Sequence, residues 1–139
     1  MKRFVNKKVM VTGAGANIGK EIALSFAREG ANVVVCDYKE ENAVKTAAEI
    51  AAMGGNALAA VCDVRDRQKI FSCVNEAVSR FGKIDVLVNN AGGSAALLGK
   101  LSKFVDAEQD TLDFVIDTNL KGTKQYIRSL HLSEYCIPV

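Results

Sequence analysis

The stretch NVVVCD, Asn32 to Asp37, restricts the possible folds more than any other part of the chain. Val33 to Cys36 are all apolar with no polar residue between them, so a strand built from them must be covered on both faces. Strands of that kind belong to parallel sheets, whose crossover helices lie over each face. The flanking sequence supplies further units of the same type. Val9 to Thr12 is a short apolar strand, and after Asn17 the residues Ile18, Ile22 and Phe26, with Ala23 and Ala27 beside them, make one helical stripe stopped at Gly30. A second helix is expected from Glu41 to Met53, with Val44, Ala47, Ala48 and Ala51 inward and Gly54-Gly55 closing it. Ala57 to Asp63 reads as a third strand. Asp66 suits the N-cap of a third helix carrying Ile70, Val74, Ala77, Val78 and Phe81, closed by Gly82. Ile84 to Asn90 is a fourth strand, and a fourth helix follows from about Asp110. The fold class implied is α/β, a doubly wound parallel sheet of order 3-2-1-4 in one domain spanning 1–139. The order reverses between strands 1 and 4, so a ligand belongs at their carboxyl ends.

Composition narrows the function classes. A chain of 139 residues should bury roughly two thirds of its unfolded surface. With 49% hydrophobic and 24% charged residues and a formal net charge of +2, it offers no field that would attract nucleic acid or anionic lipid. Lys2, Arg3, Lys7 and Lys8 read as a solvated lead-in to the first strand. No apolar run approaches the roughly 20 residues of a membrane span, and no signal-peptide core follows the basic start. Cys36, Cys62, Cys73 and Cys136 show no CxxC spacing, and His131 is the only histidine, so no metal site is expected. Free cysteines ending apolar runs behave as small buried hydrophobes, which points to a reduced, cytoplasmic protein.

The chemistry concentrates in TGAGANIG, residues 12 to 19. Gly13 would open the turn after strand 1, Gly15 would let backbone approach a pyrophosphate, and Gly19 would let the helix pack close to the sheet. The helix N-terminus then presents free N–H groups and a positive dipole end to phosphates. A tight strand-to-helix turn with no ligand would use the same residues. Asp37 tips the balance: it ends strand 2, roughly 20 residues past the last glycine, where a carboxylate accepts hydrogen bonds from ribose hydroxyls. Its charge would repel a 2′-phosphate, and the next residue is Tyr38 rather than an arginine. The expected cofactor is NAD rather than NADP.

Taken with CDV at Cys62 to Val64, NNAG at Asn89 to Gly92 and Asn119 in NLKGT, these residues make the chain resemble the amino-terminal half of a short-chain dehydrogenase/reductase. The resemblance spans nearly all of residues 9 to 123 and implies a Rossmann-type fold. It also implies that Asp63 and Val64 border the adenine. Asn90, Ala91 and Gly92 would pass beside the adenosine ribose, with Asn90 bracing the strands. Asn119 would interrupt the fourth helix and hold the water of a proton relay. Asn17 stands where the family places its middle glycine; asparagine tolerates positive φ best among other residues, so the turn should survive, with Ile18 beside it.

A second departure concerns catalysis. The family uses a Tyr as general acid/base, a Lys four residues later and a Ser upstream, all beyond the fourth helix. Tyr38, Tyr126 and Tyr135 are followed four positions later by Asn42, Leu130 and Val139, so no Tyr-x-x-x-Lys occurs here. The chain therefore reads as the cofactor-binding half of an NAD-dependent oxidoreductase acting on a small alcohol or carbonyl compound. The alternative is an inactive NAD-binding module or a truncated product. Residues 124–139 lose the apolar stripe of the earlier helices and contain Pro138, the only proline, so an atypical tail is expected. The loop from Gly93 to Lys103, with Ala95, Ala96, Leu97 and Leu98, would either wall a substrate pocket or simply pack. An open strand 4 and fourth helix lead us to expect a homo-oligomer.

Overall fold

The computed structural model describes residues 1–132. Strands β1 (Lys8–Thr12), β2 (Asn32–Asp37), β3 (Asn56–Val61) and β4 (Val86–Val88) form one parallel sheet of order β3-β2-β1-β4. Helices α1 (Asn17–Arg28), α2 (Glu40–Ala52) and α3 (Arg67–Phe81) are the crossovers. After β4 come two short 3-10 turns, Ala95–Leu98 and Phe104–Asp106, then α4 (Gln109–Ile116), a π-helical turn Asp117–Lys121, and α5 (Gly122–Leu132). The expected doubly wound sheet and its order are both observed.

The apolar run of β2 is indeed covered on both sides. Val33 and Val35, with Val9 and Val11 of β1, pack against Ala23, Leu24, Ala27 and Ile50 of α1 and α2. Val34 and Cys36, with Met10, face Ile70, Cys73, Val74 and Ala77 of α3 and Tyr126 of α5. Successive side chains point to opposite faces, so a strand without polar residues fills two cores at once.

Several packing faces differ from the sequence reading. On α1, Ile18 is 73% exposed, and the buried positions are Gly19, Ala23, Leu24 and Ala27, with Ile22 and Phe26 half-buried. The stripe turns aside because Gly19 must sit against the β1 turn. On α2, Val44, Ala48 and Ala51 are exposed, Ala47 is half-buried, and Ala43, Thr46 and Ile50 are buried. The inward face is thus shifted by about one residue, because Thr46 is accepted inside: its hydroxyl donates to the carbonyl of Gly15 at 3.1 Å. Helix α3 follows expectation, with Asp66 accepting from the amides of Gln68 and Lys69 and Gly82 at its end. β3 and β4 are each shorter than read, ending at Val61 and Val88. The segment from residue 124 continues as helix α5, and Tyr126 and Ser129 are buried in it. His131 is exposed, while Tyr135, Cys136 and Pro138 lie outside the described residues.

Candidate functional site

The turn between β1 and α1 has the backbone that a phosphate cradle requires. Gly13 sits at φ +62°, and Asn17 at φ +49°, so the asparagine occupies a left-handed conformation. Ala16 is the N-cap of α1 and no side chain caps the helix, leaving the first-turn N–H groups without a side-chain partner. Those groups and the helix dipole favour an anion. Gly19 sits against the turn: a Cβ there would overlap the carbonyl oxygen of Gly13 and the amide nitrogen of Asn90. Asn17 and Ile18 are exposed at the mouth of this turn.

Asp37 ends β2 beside that turn, 6% exposed. Its carboxylate accepts from the amide of Gly15 at 2.9 Å and from the amide of Lys39 at 3.0 Å. One bond falls on each oxygen, so each keeps a lone pair for a further donor. The space a Cβ on Gly15 would need is held by Asn42 Cβ, at 2.5 Å, and Asp37 Cγ, at 2.8 Å. The missing side chain therefore lets Asp37 reach the turn. Tyr38 is 61% exposed, with the Lys39 ammonium 5.7 Å from its ring centroid.

A second group of residues gathers at the ends of β3 and β4. Asn90 donates from its side chain to the carbonyls of Thr12 at 3.0 Å and Gly13 at 3.2 Å, joining β4 to the turn. The Thr12 hydroxyl accepts from the amides of Asn90 and Ala91 at 3.1 and 3.0 Å. Asp63 is bound by Arg65, whose Nε lies 3.0 Å and Nη2 2.5 Å from its oxygens, and whose backbone amide donates at 2.9 Å. The Arg65 hydrogen bonds hold the Asp63 carboxyl below the usual carboxylate range. Val64 is buried against Gly122, where a Cβ would lie 2.9 Å from Val64 Cβ. Asn119, in the π-helical turn, donates to the carbonyls of Gly93 at 2.6 Å and Val115 at 2.8 Å and accepts from the Gly93 amide at 3.2 Å. The space beside Gly92 is filled by the Asn119 side-chain oxygen, 2.7 Å from where a Cβ would be.

Gly13, Gly15, Asn17, Gly19 and Asp37 thus converge at one turn, and Asn90 ties that turn to Ala91 and Gly92. Asn119 lies at the far end of the Gly92-Gly93 loop. Among the described residues no group of three or more His, Cys, Asp or Glu could hold a metal ion. Sequence reasoning missed Thr12, Thr46 and Arg65. Thr12 could have been noticed as a hydroxyl placed just before the turn glycine, and Arg65 as a base two residues after an acid. Nothing in the local sequence of Thr46 announces that its partner is the Gly15 carbonyl.

Comparisons with known proteins fit this geometry. The family model described as short chain dehydrogenase matches residues 7–132. The 7alpha-hydroxysteroid dehydrogenase of Escherichia coli (strain K12) is 47% identical over 91 residues, covering 66% of this chain and 36% of that protein. The Homo sapiens hydroxysteroid dehydrogenase-like protein 2 is 38% identical over 143 residues, covering 98% of this chain and 32% of that protein. A solved 7 alpha-hydroxysteroid dehydrogenase complexed with NADH and 7-oxo glycochenodeoxycholic acid superimposes with a TM-score of 0.84 at 37% identity, over 92% of this chain and 48% of that one. The chain therefore spans about half or less of the length of these relatives. Sheet order, glycine turn and family match agree, and the chain belongs to the short-chain dehydrogenase family.

Proposed function

We propose that this chain forms the NAD(H)-binding half of an oxidoreductase acting on a small alcohol or carbonyl substrate. The observation that carries the reading is Asp37, buried beside the uncapped start of α1 with one lone pair free on each carboxylate oxygen. Two vicinal ribose hydroxyls suit those lone pairs, and a 2′-phosphate would meet the negative charge instead. Gly13, Gly15, Asn17, Ile18 and Gly19 would hold the pyrophosphate at the helix N-terminus. Tyr38, Asp63 and Val64 would flank the adenosine, and Asn90, Ala91 and Gly92 would line the path toward the nicotinamide. NAD, when bound, supplies a carbon that accepts or gives up a hydride. Asn119 would orient water but cannot donate a proton near neutral pH, since an amide does not titrate there. Buried free thiols suit a reducing compartment, which supports a cytoplasmic location.

Calorimetric titration with NAD and NADP tests the reading: NAD binds more tightly, and equal or tighter NADP binding would sink it. A second reading, cofactor binding without hydride transfer by these residues, draws on Tyr126. That phenol is fully buried and donates toward the sulfur of Cys73 at 3.9 Å, so it is not available as an acid. A positioned general acid contributes ~10²- to 10⁴-fold to such reactions. The 139-residue chain assayed alone should therefore bind NADH yet fail to oxidise it with a panel of ketones. Robust turnover dependent on Asn119 would refute that expectation.

A further inference from the structure

Arg65 links two parts of the molecule that have no neighbouring sequence. Its guanidinium and backbone amide together make four hydrogen bonds to Asp63, closing the turn after β3. The same guanidinium carbon lies 5.0 Å from the ring centroid of Phe114 on α4, a cation–π contact. Asp117, the first residue of the π-helical turn, adds to the field on Arg65. One residue away, Val64 fills the space beside Gly122, directly after that turn. Asn119 sits between these two contacts and clasps both backbone polar groups of Gly93, accepting from its N–H and donating to its carbonyl. The loop carrying Asp63 and Val64 is therefore docked on both ends of the turn that aims Asn119.

We propose that Arg65 is a positioning residue that couples the Asp63–Val64 loop to the Asn119 clasp, so that an adenine nucleotide bound at that loop tightens the clasp on Gly93. This rests on the adenine-side role given to Asp63 and Val64 under Proposed function. A base whose exocyclic amine donates to Asp63 fixes that carboxylate and with it the Arg65 fork, and the added order is felt at Phe114 and Asp117. Coupling of this kind is reciprocal: what the nucleotide does to the clasp, the clasp does to nucleotide affinity. A solvent-exposed ion pair alone would contribute little. What gives Arg65 its leverage is that the fork and the aromatic contact share one planar, rigid group.

The test is amide hydrogen exchange at Gly93, whose N–H donates to Asn119, together with the side-chain amide signals of Asn119, read by NMR on the full chain. Saturating AMP should slow Gly93 exchange by roughly 5-fold or more in the wild type, the lower end of typical coupling between sites. Arg65→Gln and, separately, Phe114→Leu should abolish that slowing, and Arg65→Lys should not restore it, because an ammonium cannot span the fork and the ring. Phe114→Leu leaves the Asp63–Arg65 pair intact and guards against a simple folding defect. Undiminished slowing in both Arg65→Gln and Phe114→Leu overturns the proposal, as does AMP binding to the wild type without any change at Gly93. If the wild type binds neither AMP nor NAD, the function reading falls. The coupling is then judged in the nucleotide-free protein, where faster Gly93 exchange in Arg65→Gln upholds the link and unchanged exchange overturns it.

Discussion

Gly19 sets helix propensity against sterics, and the magnitudes decide the outcome. Alanine inside a helix is favoured over glycine by about 1 kcal/mol, so Gly19→Ala would stabilise an isolated helix. Here the added methyl would overlap the Gly13 carbonyl oxygen and crowd the side-chain amide of Asn90, and the first of these is backbone that cannot swing aside. Overpacking of that kind costs about 1–3 kcal/mol and also displaces the cradle. Gly19→Ala should therefore lower the urea midpoint and weaken NAD binding together; an unchanged midpoint would show that α1 is free to slide outward. Asp37 makes the complementary prediction. On the proposed reading, Asp37→Ala would remove the acceptors for two ribose hydroxyls and the charge that repels a 2′-phosphate, so NAD affinity should fall more than NADP affinity in paired titrations. The placement of both residues was legible in the sequence because it follows from local pattern: a glycine at a helix start, an acid at a strand end. Thr12 was not, since its value lies in accepting two amides from residues nearly eighty positions away.

At the scale of elements, sheet order and the α3 packing face could be read from periodicity, and the α2 face could not. A pattern of apolar residues places Val44 and Ala48 inward; the structure buries Thr46 instead, fully, with its hydroxyl on the Gly15 carbonyl. Polarity misleads whenever a buried side chain has one partner contributed by another element. Replacing Thr46 by the near-isosteric valine keeps the volume but strands that carbonyl, a loss of about 1–3 kcal/mol. The converse change, Val44→Thr at a half-exposed position, should stay within about 0.5 kcal/mol. Denaturant titration of the two variants reads the helix register directly, and equal effects would contradict it. The π-helical turn and α5 were the least legible parts. Asn119 was expected to interrupt a helix, but the extra residue per turn leaves no compositional mark. Among the α5 residues whose burial is described, Gly122, Tyr126 and Ser129 are buried outright while Ile127 is exposed, so burial and apolarity do not share one stripe for a periodicity argument.

Over the whole molecule, two features reach beyond any single element. Leu101, Phe104, Val105 and Leu120 are each more than half exposed, and β4 forms one edge of the sheet among the described residues. Exposed apolar surface beside an unpaired strand edge favours association, so sedimentation should find a dimer or larger species at micromolar concentration rather than a stable monomer. The second feature is the sulfur cluster between the sheet and α3. Cys36 and Cys73 lie 3.4 Å apart, Tyr126 reaches Cys73, and all are buried. The thiol of Cys62 is pushed above its ordinary value of 9.0 by its hydrogen bond with Cys73 and by burial, and that of Cys73 by its hydrogen bond with Cys36 and by burial. Burial also raises the Tyr126 phenol above 10.0. In the unfolded chain these groups ionise at their ordinary values, while in the folded chain burial and hydrogen bonding hold their protons to higher pH. Stability is thus fully present below about pH 9 and falls as pH rises, because the unfolded state then binds fewer protons. Each fully titrating thiol steepens the fall by about 1.4 kcal/mol per pH unit. Urea midpoints measured under reductant from pH 7 to 10.5 should be flat at first and then drop, and Cys62→Ala should make the drop shallower. A profile for Cys62→Ala parallel to that of the wild type would place the alkaline sensitivity outside this cluster.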